Sequence, residues 1–282
     1  MCGRYASARK RAELLAEFRV ERDRVTESLQ PDYNVAPTKP VYAVLERGAR
    51  RSGDGRSGDG SGTARQAAGS GDGAAAGRGA AAEQAEPAAR ELRVVRWGLV
   101  PSWAKDASIG SRLINARVET ADSKPSFRRA FTRRRCLLPA DGFYEWIPVP
   151  GPPKARKQPY YIHRADGEGL AFAGLYELWR DRSYPDDHPR AWLWTAVIIT
   201  TRAEDEIGHI HERMPMVIAP DQWQEWLDPA NNDPSDVRAL LAPAVAGGLT
   251  SYPVSMAVNS VRNNGPRLIE PEPSSTATGG SL

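Results

Sequence analysis

The sequence predicts an α+β fold, with a single domain built on a largely antiparallel, barrel-like β-sheet and helices interspersed between its strands. Segments with strand composition outnumber segments with helical periodicity, and the two do not alternate in the regular rhythm of a parallel sheet. The chain has 282 residues, of which 40% are hydrophobic and 26% charged. That size and composition suit a soluble globular protein with one large domain or two small ones, and we expect one.

Nine segments contain the branched and aromatic residues that are typical of strands, and each is bounded by Gly, Pro or Asp. The first two flank a long polar stretch and are expected to be strands of one sheet. The predicted strands cover residues 41–45, 92–100, 136–138, 143–147, 160–162, 170–176, 192–200, 216–218 and 252–254.

Three segments are predicted to be helical. Residues 10–18 carry apolar side chains at helical spacing. A second helix opens at residues 220–223. A third runs from residue 234 to about residue 241, with Asp233 as its N-cap and a proline at the first helical position.

Two segments are expected to be disordered. Residues 48–90 repeat the unit Arg-Ser-Gly-Asp-Gly and continue as Ala- and Gly-rich sequence without an aromatic residue. Such a segment cannot bury enough surface to offset the entropy of ordering it. Residues 266–282 form a similar tail. We therefore predict one domain over residues 1–265, interrupted by the 48–90 insertion, whose composition favours a passive linker over an interaction arm.

Composition excludes several classes of protein. No apolar run approaches the roughly 20 residues of a membrane span, and Arg9, Lys10 and Arg11 interrupt the first apolar residues. We therefore expect no membrane segment, no signal peptide and a cytoplasmic location. Two cysteines in a reducing compartment argue against a disulfide framework. A net charge of +3 and a pI ≈ 8.9 permit nucleic-acid binding without demanding it.

Cys2 is the most informative residue. Aminopeptidases remove an initiator methionine when the next residue is small, which would give Cys2 a free α-amine beside its thiol. An α-amine titrates at about 7.7–8.0, so a useful fraction is neutral near pH 7. An aldehyde can form an imine with that nitrogen, and the sulfur can then close a thiazolidine ring. Alternatively the thiol attacks an acyl group with the amine as its base. Position alone favours an ordinary frayed end.

Several side chains suit contacts with a nucleic acid. Asn34 lies in a polar turn that enters a strand, and its amide both donates and accepts hydrogen bonds. Trp103, in a loop, is a candidate for stacking on a base, and Asn115 and Arg117 follow it. Residues 127–135 interleave arginines with aromatic residues, which fits a phosphate-contacting surface or, equally well, a solvated helix face.

Two further side chains suit proton transfer. A strand would place Phe143 and Glu145 on one face and Tyr144 and Trp146 on the other, and a carboxyl group in apolar surroundings has a raised pKa. His211 belongs to a His-x-His pair, but no further ligand stands at a metal-binding spacing. We therefore interpret His211 as a general acid/base and expect no metal.

Together these segments resemble the SRAP family, the SOS-response-associated peptidase-like, abasic-site-processing proteins. Six blocks stand in the family's order, and the resemblance spans about residues 2–260 apart from the insertion. The blocks are Cys2-Gly3-Arg4-Tyr5, Tyr33-Asn34-Val35-Ala36-Pro37, Trp97-Gly98, Asn115-Ala116-Arg117-Val118-Glu119-Thr120, Asp141-Gly142-Phe143-Tyr144-Glu145-Trp146 and His211-Glu212-Arg213-Met214-Pro215.

The resemblance implies a specific reaction. Family members bind single-stranded DNA at an abasic site and cross-link to it through the N-terminal cysteine, so the Cys2 amine would attack the sugar aldehyde and its thiol would close the thiazolidine. By the same resemblance, Glu145 assists ring opening and proton transfer. His211 is a general acid/base for imine formation and reversal, and Asn34 orients Cys2 and the sugar. Cleavage of the protein's own Met1 is implied less securely.

The same resemblance suggests the remaining roles. The partner is single-stranded DNA with an abasic site, bound by a monomer without a cofactor at damaged DNA in the nucleoid. The expected DNA contacts are Arg4, Trp103, Asn115, Arg117, Thr200 and Arg213.

Two other functions remain open. Class II glutamine amidotransferases also begin Met-Cys-Gly and use this cysteine with its own amine as base, but their usual Arg-Gly-Pro-Asp and Asn-Gly-Glu neighbourhoods are absent here. Alternatively the chain is a non-catalytic DNA- or protein-binding module in which Cys2 is incidental. Glutaminase activity would identify the first, and indifference to alkylation of Cys2 the second.

Overall fold

The computed structural model describes residues 2–47, 88–149, 156–203, 205–241 and 248–273. Its strands are β1 (Tyr5–Ser7), β2 (Arg22–Asp23), β3 (Asp32–Val35), β4 (Pro40–Arg47), β5 (Ala89–Trp97), β6 (Asn115–Arg117), β7 (Arg135–Ala140), β8 (Gly142–Val149), β9 (Arg156–Arg164), β10 (Leu170–Arg180), β11 (Trp192–Arg202), β12 (Arg213–Pro215) and β13 (Leu249–Pro253). Its α-helices are α1 (Arg11–Glu17), α2 (Arg128–Arg133), α3 (Asp205–Gly208), α4 (Trp223–Leu227) and α5 (Pro234–Ala239). Short 3-10 helices cover Ala107–Arg112, Pro220–Gln222, Met256–Asn259 and Pro266–Ile269.

Five strands close into a ring. β5, β4, β7, β10 and β11 are joined in that order by antiparallel pairs. β11 then returns to β5 through a short parallel pair, in which Thr195 lies opposite Arg96. The short strands β2, β6 and β12 extend this sheet by pairing with β5 or β11. The predicted α+β fold with a largely antiparallel, barrel-like sheet is therefore confirmed.

A second sheet is antiparallel throughout its described pairs and has the order β13, β9, β8, β1, β3. One of its faces packs on the barrel strands through Tyr5, Phe143 and Ile162. Its other face packs on the carboxyl-terminal segment, where Tyr144 meets Val258. Since β1 lies between β3 and β8, the start of the chain is held on both sides rather than frayed.

Four of the five described α-helices cover the opposite face of the barrel sheet, whereas Ile207 of α3 packs in the cluster that contains Tyr5 and Phe143. Leu14 of α1, Phe131 of α2, Trp226 of α4 and Val237 of α5 belong to one buried cluster with strand residues of the barrel. As predicted, the Asp233 side chain caps α5, accepting hydrogen bonds from the first free backbone N–H groups of that helix.

Most of the predicted elements are present. All predicted strands lie in strands of the structure except that at residues 216–218, where Val217 forms only an isolated bridge with Phe172. The sequence missed β1, β2, β3, β6, β12, α2 and α3. These strands have two to four residues and form only because distant strands supply their partners. Asn34, which we expected in a turn, consequently lies within β3.

Both predicted disordered segments begin or end at the wrong residue. β5 starts at Ala89, and buried Arg90 forms an ion pair with buried Glu46 at 3.0 Å, so the 48–90 insertion was extended too far. The rest of it, residues 48–87, lies outside the described residues. In the tail, residues 266–269 form a 3-10 helix that buries Leu268, and Pro271 bridges to Val254. The prediction of a tail from residue 266 is therefore wrong, and residues 274–282 lie outside the described part.

Within the described ranges, we find no helix of the length and apolarity needed to cross a membrane. Over the same ranges, no group of three or more His, Cys, Asp or Glu side chains is placed to hold a metal ion.

Candidate active site

A cleft of about 520 Å³ opens beside the first residues of the chain. It exists because β1 lies next to β8 and β8 lies next to β9, which brings the residue before β1 close to side chains of β8 and β9. A histidine from the segment before β12 and an asparagine from the carboxyl-terminal segment complete its walls. The lining residues are Arg4, Glu145, Trp146, Lys157, His211 and Asn259.

Cys2 lies immediately before β1 and is fully buried. Its thiol donates a weak hydrogen bond to the backbone oxygen of Arg4 at 3.7 Å, and its own carbonyl oxygen accepts a 2.7 Å bond from the amide of Asn115. Burial and the nearby charge of Glu145 raise the pKa of the Cys2 thiol well above its ordinary value. The sulfur is therefore protonated at neutral pH, and its position is fixed from two sides.

Asn115 is placed by a parallel pairing. It opens β6 and lies opposite Ile198 of β11. Its Nδ2 donates the hydrogen bond to the carbonyl oxygen of Cys2. Its Oδ1 is buried and has no hydrogen-bond partner among the described residues. A buried acceptor without a partner is unfavourable unless a ligand or water satisfies it. We expected Asn115 to contact DNA, and the structure makes it the residue that holds Cys2.

Asn34 does not have the position we expected for orienting Cys2. It is fully buried, and its Nδ2 lies within 3.0–3.3 Å of the carbonyl oxygens of Val258, Ser260 and Asn263. Its Oδ1 accepts a 2.7 Å bond from Arg4. Asn34 thus joins the first strand to the carboxyl-terminal segment, and the bond to Cys2 comes from Asn115 instead.

Arg4 forms one wall of the cleft. Its Nη1 donates to Asn34 and, at 2.9 Å, to the carbonyl oxygen of Val258. Its guanidinium lies 5.9 Å from the ring centroid of Trp146, within the range of a cation–π contact. Partial burial lowers the pKa of Arg4 from its ordinary value, but an arginine remains charged at neutral pH. A fixed positive charge therefore faces the cleft.

Glu145 follows the predicted alternation along β8. Phe143 packs in the cluster that contains Cys2, whereas Tyr144 and Trp146 pack on the opposite side of the strand. Glu145 itself is only 3% exposed. Burial raises its pKa to about 7, although the positive charges of the amino terminus and Lys157 oppose the shift. A carboxyl group with this pKa can both accept and donate a proton near neutral pH.

His211 is partly buried on the same cleft. Burial lowers its pKa, so the neutral ring predominates at neutral pH. Its Nδ1 accepts a 3.0 Å hydrogen bond from the backbone N–H of Arg213. In the neutral ring the proton consequently lies on Nε2.

Two of the expected DNA contacts are buried. Thr200 is 0% exposed, and its backbone oxygen accepts a 2.6 Å bond from Arg213. Arg213 is 7% exposed and forms a forked ion pair with Glu119. Neither side chain is free to touch DNA in this arrangement, so we reassign both as supports of the cleft. Arg117 lies opposite Thr200 on β6 and is exposed, so it remains available for a phosphate.

Trp103 lies away from the cleft. It is 61% exposed, and the adjacent Ala104 carbonyl accepts a bond from Trp179, which lies opposite Leu193. Leu193 precedes Ile198, the partner of Asn115, by five residues on β11, or about 17 Å. A base on Trp103 would therefore belong to a nucleotide other than one held at Cys2.

In the basic segment 127–135, two of the five arginines have structural roles, whereas Arg128, Arg129 and Arg133 are exposed on α2. Arg135 is 3% exposed and donates to backbone oxygens of α2 and of the segment that contains α4, including that of Trp226 at 2.6 Å. Arg134 pairs with Glu177. These contacts favour the helix-face interpretation over a phosphate surface.

Sequence reasoning missed three residues of the cleft as site residues. Trp146 belongs to the same motif as Glu145, so the motif itself held a signal. Lys157 and Asn259 have no local signal, because β9 and a 3-10 helix bring them in from distant parts of the chain. Asn259 accepts a 2.7 Å bond from the indole of Trp146 and so fixes the ring that Arg4 covers.

The fold and the cleft define an α+β protein whose candidate site is assembled around its own second residue. The model of the SOS response associated peptidase (SRAP) family matches residues 1–261, and the chain belongs to that family. The resemblance seen in the six sequence blocks is therefore confirmed.

Individual relatives agree with this assignment. The chain is 35% identical over 270 residues to the abasic site processing protein YoqW of Bacillus subtilis, covering 96% of this chain and 99% of that protein. It is 28% identical over 277 residues to the abasic site processing protein YedK of Escherichia coli, covering 96% and 100%. A solved structure of a protein from Bacteroides thetaiotaomicron matches with a TM-score of 0.67 at 22% identity, covering 96% and 100%, and has the same fold.

Proposed function

We propose that this protein processes abasic sites in DNA, and that it captures the ring-opened sugar covalently through Cys2. The observation that carries the proposal is the position of Cys2, held by Asn115 beside a carboxyl group whose pKa is about 7. The names of its relatives from Bacillus subtilis and Escherichia coli support abasic sites as the substrate class.

Removal of Met1 is the first requirement of the proposed reaction. While Met1 is attached, the Cys2 nitrogen is part of an amide and cannot condense with an aldehyde. Once exposed, the α-amine has an ordinary pKa of about 7.7–8.0, whereas a lysine titrates near 10.4. The terminal amine is therefore the better nucleophile at neutral pH, and it carries its thiol on the same residue.

The reaction balances without an oxidant. The neutral amine adds to the C1′ aldehyde, and loss of water gives an imine. The Sγ–H then adds across the C=N bond, with sulfur bonding to carbon and the proton passing to nitrogen, which closes the thiazolidine. Because burial and Glu145 keep the thiol protonated, the amine is the group that reacts first.

Glu145 is proposed to move the protons. Near neutral pH both of its forms are populated, so it can take the proton of the sugar hydroxyl as the ring opens and return it as water leaves. During reversal of the cross-link, Glu145 would carry out the same proton transfers in the reverse direction. Neutral His211 lines the same cleft, and its Nε2–H is the proposed second donor.

Charged and aromatic groups around the cleft suit a single strand of DNA. Arg4 and Lys157 line it, exposed Arg117 follows Asn115 by two residues, and the ring of Trp146 offers an aromatic surface. A single strand presents its abasic sugar without any base flipping, so stacking and phosphate contacts suffice.

The test is a denaturing gel of protein whose N-terminus is verified as Cys2, incubated with a single-stranded oligonucleotide carrying one abasic site. We expect a heat-stable shifted band with that strand and none with an intact strand. Cys2→Ala keeps the α-amine and should give a band only when borohydride reduces the imine, whereas Cys136→Ala should behave like the parent.

Two outcomes would contradict the proposal. Equal heat-stable cross-linking by Cys2→Ala without borohydride would exclude the thiazolidine. No band from verified protein would exclude covalent capture altogether, and glutamine hydrolysis would then be the activity to measure.

A further inference from the structure

An exposed group of aromatic and arginine side chains lies at the β10–β11 hairpin, outside the cleft. Trp192 opens β11 and is 49% exposed. Trp194, two residues later, points to the same face of the strand and is partly exposed. We call the following set the hairpin patch: Arg47, Arg93, Arg182, Arg190, Trp192 and Trp194.

The two tryptophans differ in what covers them. Trp194 has the guanidinium of Arg93 at 4.2 Å and that of Arg47 at 5.1 Å from its ring centroid, and Tyr176 stacks on it at 5.6 Å. Trp192 has Arg180 at 5.9 Å. Trp194 is therefore built into the protein, whereas about half of the Trp192 surface is open to a planar ligand.

The loop between β10 and β11 is held by several internal contacts. Arg180 donates to the backbone oxygen of Tyr184 at 2.7 Å and pairs with Asp186, while Asp181 accepts two bonds from Ser183. His188 stacks on Tyr184 with ring centroids 4.5 Å apart. A preorganised platform loses little entropy on binding, so an exposed aromatic on it is well suited to recognition.

The charge around Trp192 favours an anionic partner. Among the described residues, Arg182 and Arg190 are exposed and form no ion pair. The same loop has two exposed acidic side chains, Asp186, which pairs with Arg180, and Asp187. Arg47 and Arg93 add positive charge beside Trp194, where Arg93 also pairs with Glu91. An open aromatic face with surrounding arginines is the combination that stacks bases and holds phosphates.

The patch is aligned with the cleft. Trp192, Trp194, Ala196 and Ile198 alternate onto one face of β11, and Ala196 and Ile198 belong to the buried cluster that contains Cys2. Ile198 lies opposite Asn115, which holds Cys2. The six residues from Ile198 to Trp192 span about 20 Å, a distance that a strand of several nucleotides covers.

We propose that the hairpin patch binds single-stranded DNA flanking the lesion, with a base stacked on Trp192 several nucleotides from the sugar at Cys2. This inference rests on the proposed function for the identity of the strand. The binding itself does not depend on cross-linking, and it is therefore measured with intact DNA as well.

The test is fluorescence anisotropy with labelled single strands of about 4 and about 20 nucleotides, each prepared intact and with an abasic site. Loss of one stacked base corresponds to roughly 1–3 kcal/mol, so Trp192→Ala should weaken binding of the long strands at least fivefold. It should leave the short strands unchanged. Trp192→Phe keeps an aromatic face and should restore most of the affinity.

Two further measurements test whether the patch contacts phosphates and in which direction the strand runs. Arg190→Ala should reduce the salt slope for the long strand by about one. Long strands with the abasic site near the 5′ end or near the 3′ end place the flanking nucleotides on opposite sides of the lesion. Trp192→Ala should weaken binding of only one of these two strands. Unchanged binding of long strands by Trp192→Ala, or an equal loss for short ones, would overturn the proposal. If the protein does not cross-link but Trp192→Ala still weakens binding of intact long strands, the proposed chemistry is refuted and DNA binding by the hairpin patch is supported.

Discussion

Asn115 donates a 2.7 Å hydrogen bond from its side-chain amide to the backbone oxygen of Cys2, 113 residues away in sequence. The two residues come from different sheets, because β6 pairs with the barrel strand β11 whereas Cys2 leads into β1 of the second sheet. The bond therefore sets the position of Cys2, the proposed nucleophile, relative to the barrel. The buried Oδ1 of the same amide has no hydrogen-bond partner among the described residues.

Asn115→Ala removes this bond, and we expect the rate of cross-linking to fall about fivefold, since one hydrogen bond contributes about 1 kcal/mol. Single-turnover kinetics on abasic single-stranded DNA measures it. Exposed Asn232 provides the matched control, and Asn232→Ala should react at the parental rate. A parental rate for Asn115→Ala would show that the bond does not position Cys2.

Glu145→Gln should stabilise the protein at alkaline pH. The folded pKa of Glu145 is raised from 4.5 to about 7, so the folded state binds a proton that the unfolded state has released between those values. Stability due to this group is therefore present below pH 4.5 and is lost as the pH rises through 7. We expect Gln to raise the free energy of unfolding by on the order of 1–2 kcal/mol at pH 8.

Urea unfolding at two pH values checks this prediction. At pH 4 the carboxyl group is protonated in both states, so the gain should vanish there. An equal gain at pH 4 and pH 8 would mean that packing, and not the raised pKa of Glu145, causes it. The rate of cross-linking by Glu145→Gln should no longer change with pH around 7.

Arg117→Ala should weaken DNA binding and reduce its salt slope by about one, because the exposed guanidinium on β6 is placed to meet a phosphate. The measurement is a titration of single-stranded DNA at several salt concentrations. A slope equal to that of the parent protein would refute a phosphate contact at this position.

Arg213→Ala should show the opposite pattern. Its guanidinium is buried and holds Glu119 and the backbone of Thr200. We expect a loss of about 2 kcal/mol in the free energy of unfolding, with the salt slope for DNA unchanged. Denaturant titration and the same salt series measure both quantities. If Arg213→Ala left the free energy of unfolding unchanged and reduced the salt slope of DNA binding, Arg213 would be a DNA contact after all.

Long elements were predictable because their signals are local. The strands that became β10 and β11 have runs of branched and aromatic residues, and α5 has a capping aspartate followed by proline. Strands such as β1 and β6 were missed, because three residues carry no periodicity and their pairing energy comes from other parts of the chain. The alternation of Phe143 and Glu145 could be read correctly because it depends on strand geometry alone.

The sequence by itself determined the α+β class and the family, since these depend on residue types in a recognisable order, and it singled out Cys2 as the candidate reactive residue. Only the tertiary structure decided which asparagine serves Cys2. Asn34 and Asn115 have the same side chain, but β3 buries the first against three backbone carbonyl oxygens, whereas β6 brings the second to Cys2. The tertiary structure likewise buries Arg213 and leaves Arg117 exposed. The role of a polar side chain depends on the partners within about 3 Å of it, and strand pairing across a hundred residues supplies those partners.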